Sequence, residues 1–398
     1  MDYKSNRIFG NELKYLKEVL ETDFRTSAYG MMTDRLEKAF AKKIGVKYAV
    51  GHNSGTTPLH SMLESIGIEP GDEVIVSPLT MSAPTYAILH AGGTPVFADI
   101  DPESFNISAE SIEKLITPKT KAISAIALYG LPCDFDKILK IANKHSLFVY
   151  EDNAQCMMGT YKNKFSGSLA HGASFSFQRL KHLTCGEGGM FTTNDENLAQ
   201  KVRRQTTLGY ANIASTKGAV TKGELQNPDY DRHISFGFKS RLPELCAAVA
   251  LAQLENSEKL IDIRLKSAKI FDEVVSKYAE RPTDAIVVFS KSGHEFVCEA
   301  TVHLSTGLTA QARSHENEIY ASFDNCAAKM EKQLRRYKRR LKDHHAARTT
   351  PVELSSASSY ILVSEHENEE SEPENLQPII IAEVETTIPK LSVGEAVM

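Results

Sequence analysis

The chain of 398 residues carries 46 basic against 51 acidic side chains, with 41% hydrophobic and 24% charged residues. That length supports two or three domains and a large core, and the near balance of charge excludes a chain that binds nucleic acid or membranes through its bulk charge. Six cysteines show no CxxC pair and no metal-like spacing, which points to reduced thiols in a reducing compartment and to no metal site. The N-terminal MDYKSNRIFGNELKYL is polar and no apolar run is long enough to span a bilayer, so a cytoplasmic protein is expected.

From about residue 46 to 190, short apolar runs alternate with amphipathic segments. KYAVG, DEVIVSP, GTPVFAD, KAISAIALYG, SLFVYED and ASFSF read as buried strands, with helical stretches such as SGTTPLHSMLESIG and SAPTYAILHAGG between them. This alternation predicts an α/β fold with a mostly parallel sheet covered on both faces, and chemistry beyond the carboxyl ends of the strands. Residues 207–236 lack periodicity and read as a long loop, followed by one long helical stretch from RLPELC to DEVV. After about residue 268, HEFVCEATVHLS and GLTAQARS read as two antiparallel strands, followed by the helix ENEIYASFDNCAAKMEKQLRRYKRRLKDHH. The Glu-rich SEHENEESEPENLQP reads as a disordered linker.

Three places in the first part carry candidate chemistry. Asp152 ends the strand SLFVYED; it either caps the next helix or faces the ring nitrogen of a pyridine cofactor. Gly55 and Thr56 precede a helix with Pro58 in its first turn, a place that either is simply capped or holds a phosphate on its amides. Lys181 lies between the strand ASFSF and the glycines 186, 188 and 189; it is either a solvated loop lysine or an amine nucleophile able to form a Schiff base. The Ser176 hydroxyl, on the strand before it, is within reach of the same phosphate.

Together, NSGTTPLHSML, SPLTMSAPTYAILHAGGTPVFADIDP, EDNAQCMMGTYKNKFSGSLA and FSFQRLKHLTCGEGGM closely resemble the DegT/DnrJ/EryC1/StrS aminotransferases over about residues 8–265. The resemblance implies a fold type I aminotransferase large domain and pyridoxal 5′-phosphate as cofactor. It also implies amino transfer, from glutamate, to a keto sugar carried on a nucleotide. By the same resemblance Lys181 is the Schiff-base lysine and proton shuttle, Asp152 the partner of the pyridinium nitrogen, and Gln155 the neighbour of the phenolic oxygen. Gly55, Thr56 and Ser176 fall at phosphate-contacting positions, and Met81 stands where relatives stack an aromatic ring. Family members that act as dehydratases carry histidine at the lysine position, so Lys181 favours transamination. Two departures stand out: Ala127 replaces a usual histidine, and Lys239 replaces an asparagine that reaches the neighbouring subunit's cofactor phosphate. Lys239 either supplies charge to that phosphate across a homodimer or is simply solvated.

From about residue 270 the chain resembles a long-form ribosome hibernation promoting factor, partial at both ends. Phe323, Ala327, Met330, Leu334, Tyr337 and Leu341 fall on one helical face, and a basic set including Lys332, Arg335, Arg336, Arg339 and Arg340 falls on the other. A single-signed face of this kind suits ribosomal RNA phosphates of the small subunit. The expected domains are therefore 1–265 (aminotransferase), 266–348 (α+β RNA-binding segment), 349–378 (disordered acidic linker) and 379–398 (start of a further domain). An enzyme impaired by loss of its usual small domain, an RNA-binding stress factor, and a composite with neither activity complete are the three outcomes this leaves.

Overall fold

The computed structural model describes residues 8, 10–24, 31–211, 223, 226–278, 282–304, 309–347, 357–362 and 380–386. It divides into two compact units, residues 1–261 and 262–398.

In the first unit, α1 (Glu12–Glu21) and α2 (Met32–Ile44) precede β1 (Tyr48–His52), α3 (Thr56–Ile66), β2 (Glu73–Val76), α4 (Ala83–His90) and β3 (Thr94–Phe97). Then follow α5 (Ala109–Leu115), β4 (Thr120–Ile126), α6 (Phe135–His145), β5 (Phe148–Asp152) and the two-residue strands β6 (Thr160–Tyr161) and β7 (Lys164–Phe165). The unit closes with β8 (Gly172–Ser176), β9 (Gly189–Thr193), α7 (Glu196–Thr206), α8 (Glu244–Glu255) and the start of α9 (Ser257–Tyr278). The single helical stretch expected after residue 240 is thus two helices, broken at Asn256.

Seven strands form one sheet in the order β1-β9-β8-β5-β4-β2-β3. The run from β3 to β8 is parallel, whereas β9 is antiparallel to both β8 and β1. Strand parity sorts the side chains onto two buried faces. Val74, Val76, Ala122, Ile126 and Tyr150 pack with Leu59, Met62, Ile88 and Val202 from α3, α4 and α7. Their strand neighbours Ile75, Ile123, Ala125 and Val149 pack instead with Ile112, Phe135 and Ile138 from α5 and α6. Phe175 and Phe177 join Leu36, Phe40, Ala247 and Leu251 from α2 and α8.

The second unit holds a sheet in the order β10 (Pro282–Ser292), β11 (Glu295–Leu304), β12 (Thr309–Glu316), β13 (Ala357–Leu362) and β14 (Ile380–Thr386). The expected antiparallel pairing of β11 with β12 is present, and β10 adds a third antiparallel strand. On this sheet the helix α10 (Ile319–Ala347) buries Phe323, Cys326, Ala327, Met330 and Leu334. Within the span expected as a linker, residues 357–362 form β13, parallel to β12 and antiparallel to β14. The β-forming run Tyr360-Ile361-Leu362 sits beside the acidic stretch, whose composition masks it. The Glu-rich segment 364–378 and the final 388–398 lie outside the described residues.

Two buried ionisable groups make the first unit sensitive to change. Glu151 on β5 accepts hydrogen bonds from the backbone N–H of Gly167, Leu169 and Ala170 and from Asn153 Nδ2, at 2.6–3.1 Å. Burial raises its carboxyl pKa, and those donors pull it back. We expect Glu151→Gln, which turns an amino group against backbone donors, to cost roughly 3 kcal/mol in urea unfolding. A loss below about 1 kcal/mol would contradict this role. His52, fully buried, donates from Nδ1 to Val50 O at 3.0 Å, and its Nε2 has no partner among the described residues. Burial lowers its pKa from 6.5 to about 4. Between those values the unfolded chain binds the proton that the folded chain refuses, so stability falls as pH drops through that window. The loss of unfolding free energy between about pH 7 and 4 should be some 3 kcal/mol larger for the wild type than for His52→Gln.

Candidate active site

The site grows from two neighbouring strand ends. In the parallel pair of β5 and β8, Asp152 stands opposite Ser174, so Asp152, Ser174 and Ser176 share the sheet face that α3 covers. Glu151 points to the other face and is consumed in holding the loop 167–170. Asp152 is buried, and among the described residues both hydrogen bonds to its carboxylate fall on Oδ1, from Ala154 N–H at 3.0 Å and Ser174 Oγ at 3.4 Å. Oδ2 is thereby left to accept from a ring N–H. Burial raises the carboxyl pKa, while the Ala154 N–H, the positive charge of Lys181 and the Ser174 hydroxyl lower it. A cation on that side favours the ionised carboxylate against the effect of burial, and the ionised form is the state a pyridinium partner requires.

Lys181 is half-buried in a tight turn that follows β8. Its N–H donates to Gln178 O at 2.8 Å, and Gln178 N–H donates in turn to Ser176 Oγ at 3.3 Å. Phe177 N–H bonds Gly188 O and Cys185 N–H bonds Phe177 O, so the turn is closed by backbone bonds at its base. Gly189 is required there because a Cβ would collide with Ser54 O at the start of α3.

The first turn of α3 completes the cradle. Ser54 Oγ accepts from Thr57 N–H at 3.3 Å, so the capping bond is spent on Thr57 and the amides of Gly55 and Thr56 are those the helix start presents. A Cβ at Gly55 would stand 2.5 Å from Ser176 Cβ and 2.8 Å from its Oγ. Amides, a hydroxyl and a helix start therefore meet without an intervening side chain, as a phosphate group demands. Gln155, half-buried, accepts from Tyr129 N–H at 2.9 Å through Oε1. Met81 is 63% exposed on the loop after β2, with its thioether available to lie against a flat ring. These residue types fit pyridoxal phosphate: a carboxylate for the ring nitrogen, an amide for the phenolic oxygen, a helix start for the phosphate and an amine for the aldehyde.

Gly55 and Ser176 are in direct approach, and Lys181 acts electrostatically on Asp152. Lys239 is exposed; its neighbour Ser240 accepts from Asn53 N–H at 2.8 Å, beside the α3 start. Lys332, Arg335 and Arg336 are exposed on α10 in the second unit, while the side chains of Arg339 and Arg340 lie outside the described ones. The sequence reading missed Ser174 and Tyr129. The alternation of SFSF already placed Ser174 on the face of Ser176, but its bond to Asp152 depends on β5 and β8 being neighbours. No residue type announced Tyr129.

The sequence model of the DegT/DnrJ/EryC1/StrS aminotransferase family matches residues 6–333, past the junction expected near residue 265. GDP-perosamine synthase of Caulobacter vibrioides is 40% identical over 306 residues, which cover 76% of this chain and 77% of that one. Among solved structures, an aminotransferase from Psychrobacter cryohalolentis is 34% identical with a TM-score of 0.63, over 70% of this chain and 69% of the other. An E. coli GDP-4-keto-6-deoxy-D-mannose-3-dehydratase with bound hydrated PLP is 26% identical with a TM-score of 0.62, covering 73% and 77%. The chain belongs to the DegT/DnrJ/EryC1/StrS family and is a pyridoxal-phosphate-dependent aminotransferase.

Proposed function

We propose that the chain transfers an amino group, from glutamate, to a keto sugar carried on a nucleotide, with Lys181 as the catalytic amine. The observation that carries this reading is the meeting of Asp152, Ser176 and Gly55 on one sheet face, with the charge of Lys181 felt at Asp152. Pyridoxal phosphate, when bound, supplies an electron sink for the carbon that bears the amino group. Asp152 Oδ2 holds the proton of the ring nitrogen, and the Gly55 and Thr56 amides with Ser176 Oγ hold the phosphate. Lys181 Nζ removes the proton from the amino-bearing carbon of the donor and returns one to the former keto carbon of the sugar. A lysine rather than a histidine at this position supports transamination over dehydration.

In this reading residues 1–265 form the enzyme and Lys239 reaches the cofactor phosphate of a second copy, which its exposure permits. No helix among the described residues is long and apolar enough to cross a membrane. A second reading concerns residues 266–348 as a ribosomal-RNA-binding segment of the hibernation-factor kind. It is supported by α10, where an apolar face is buried while Lys332, Arg335 and Arg336 remain exposed.

With pyridoxal phosphate added, the wild type should develop the visible absorbance of the lysine-bound cofactor, and Lys181→Ala should lose it. Amino transfer should fall about a thousandfold or more in that variant. A variant that keeps both band and turnover would sink the assignment. For the second reading, co-sedimentation with small ribosomal subunits should weaken about a hundredfold between roughly 50 and 200 mM salt, given five phosphate contacts. Salt-insensitive binding, or none, would remove it.

A further inference from the structure

The peptide N–H of Tyr129 donates to Gln155 Oε1 at 2.9 Å. A backbone N–H can only donate, so the side-chain amide of Gln155 is fixed with its oxygen toward Tyr129 and with Nε2, which can only donate, on its other edge. Tyr129 makes this bond from a left-handed backbone, φ 52° and ψ 18°, a conformation that is costly for a residue with a Cβ. The turn is held in that state from several sides. Buried Asn106 accepts from Leu128 N–H at 3.1 Å and donates to Leu131 O at 2.9 Å. The Cys156 thiol donates to Gly130 O at 3.2 Å. Gly130 itself sits at φ 91°, and a Cβ there would press on Gln155 O at 3.3 Å. None of these bonds uses the Tyr129 ring, which is 81% exposed. The strained peptide unit, rather than the side chain, is what the surroundings over-determine.

We infer that the Tyr129 peptide N–H is a positioning group that holds Gln155 as a hydrogen-bond donor toward the phenolic oxygen of the cofactor ring. This rests on the assignment of Gln155 to that oxygen. A donor favours the ionised oxygen, whereas an acceptor in its place favours the protonated one. The orientation of a single amide thus tunes the charge on the ring without contributing a charge of its own.

An ester in place of the Leu128–Tyr129 amide, installed with the α-hydroxy analogue of tyrosine at position 129, removes the N–H and keeps the ring. The readout is the pH titration of the visible absorbance of the full-length protein with pyridoxal phosphate, together with the cofactor dissociation constant. The ester should raise the titration midpoint by about half a pH unit or more and weaken cofactor binding roughly fivefold. In a Gln155→Ala background the same ester should change neither quantity. A midpoint unmoved by the ester, or an equal effect with and without the Gln155 side chain, overturns the inference. Gln155→Glu gives a second test free of the ester chemistry, since it keeps the acceptor for Tyr129 and replaces the donor by a carboxylate oxygen. Its midpoint should rise by about one pH unit or more, and an unchanged midpoint counts against the inference equally. Wild-type protein that binds no pyridoxal phosphate would overturn the cofactor reading as well; wild-type binding with an inert ester overturns only the role of Tyr129.

Discussion

Gly55 and Ser176 approach so closely that a methyl group at position 55 would stand 2.5 Å from the serine Cβ, and the site depends on that contact. It brings the start of α3 onto the end of β8 with nothing between them. A larger residue would push the helix start away from the strand and separate the amides from the hydroxyl. The same approach fixes where the helix start stands relative to Asp152, because Asp152 and Ser176 lie on one face of adjacent strands. The separation of Asp152 from Ser176 is therefore set by strand spacing and parity rather than by flexible side chains.

The adjacent carboxylates Glu151 and Asp152 show how one strand end divides structure from chemistry. Period-two alternation sends them to opposite faces. Glu151 meets four donors and fixes a loop, while Asp152 meets two, both on one oxygen. Burial pushes both carboxyl groups upward. Backbone donors restrain Glu151, whereas the restraint on Asp152 combines the Ala154 N–H with the positive charge of Lys181. The positive charge of Lys181 favours the ionised form of Asp152, so loss of that charge would tighten the carboxyl group's hold on a proton.

Much of this was legible in the residues. The six expected strands of the sheet are present, four of them (β2, β4, β5 and β8) because buried parallel strands are near-continuous apolar runs that carry their own signal, whereas β1 is antiparallel and β3 is exposed at both ends. The strand β9 was not read, since its opening glycines belong as much to the turn as to the strand, and only pairing on both sides makes Gly189–Thr193 extended. The break at Asn256 was hidden because the apolar periodicity resumes on its far side. Tyr129 was beyond reach for a different reason: its left-handed backbone is imposed by Asn106, more than twenty residues earlier in the chain, and no local propensity encodes that.

The second unit marks where motif reading gives way to packing. Family similarity extends to residue 333, inside α10, well past the end expected near residue 265. The physical requirement on this stretch is modest. An antiparallel sheet needs one helix with apolar residues at helical spacing, and Phe323, Ala327, Met330 and Leu334 meet it whatever the outer face does. The buried face therefore says little about function. Lys332, Arg335 and Arg336 are exposed on that outer face, and the core makes no demand on them, just as Glu151 takes the structural role that Asp152 does not.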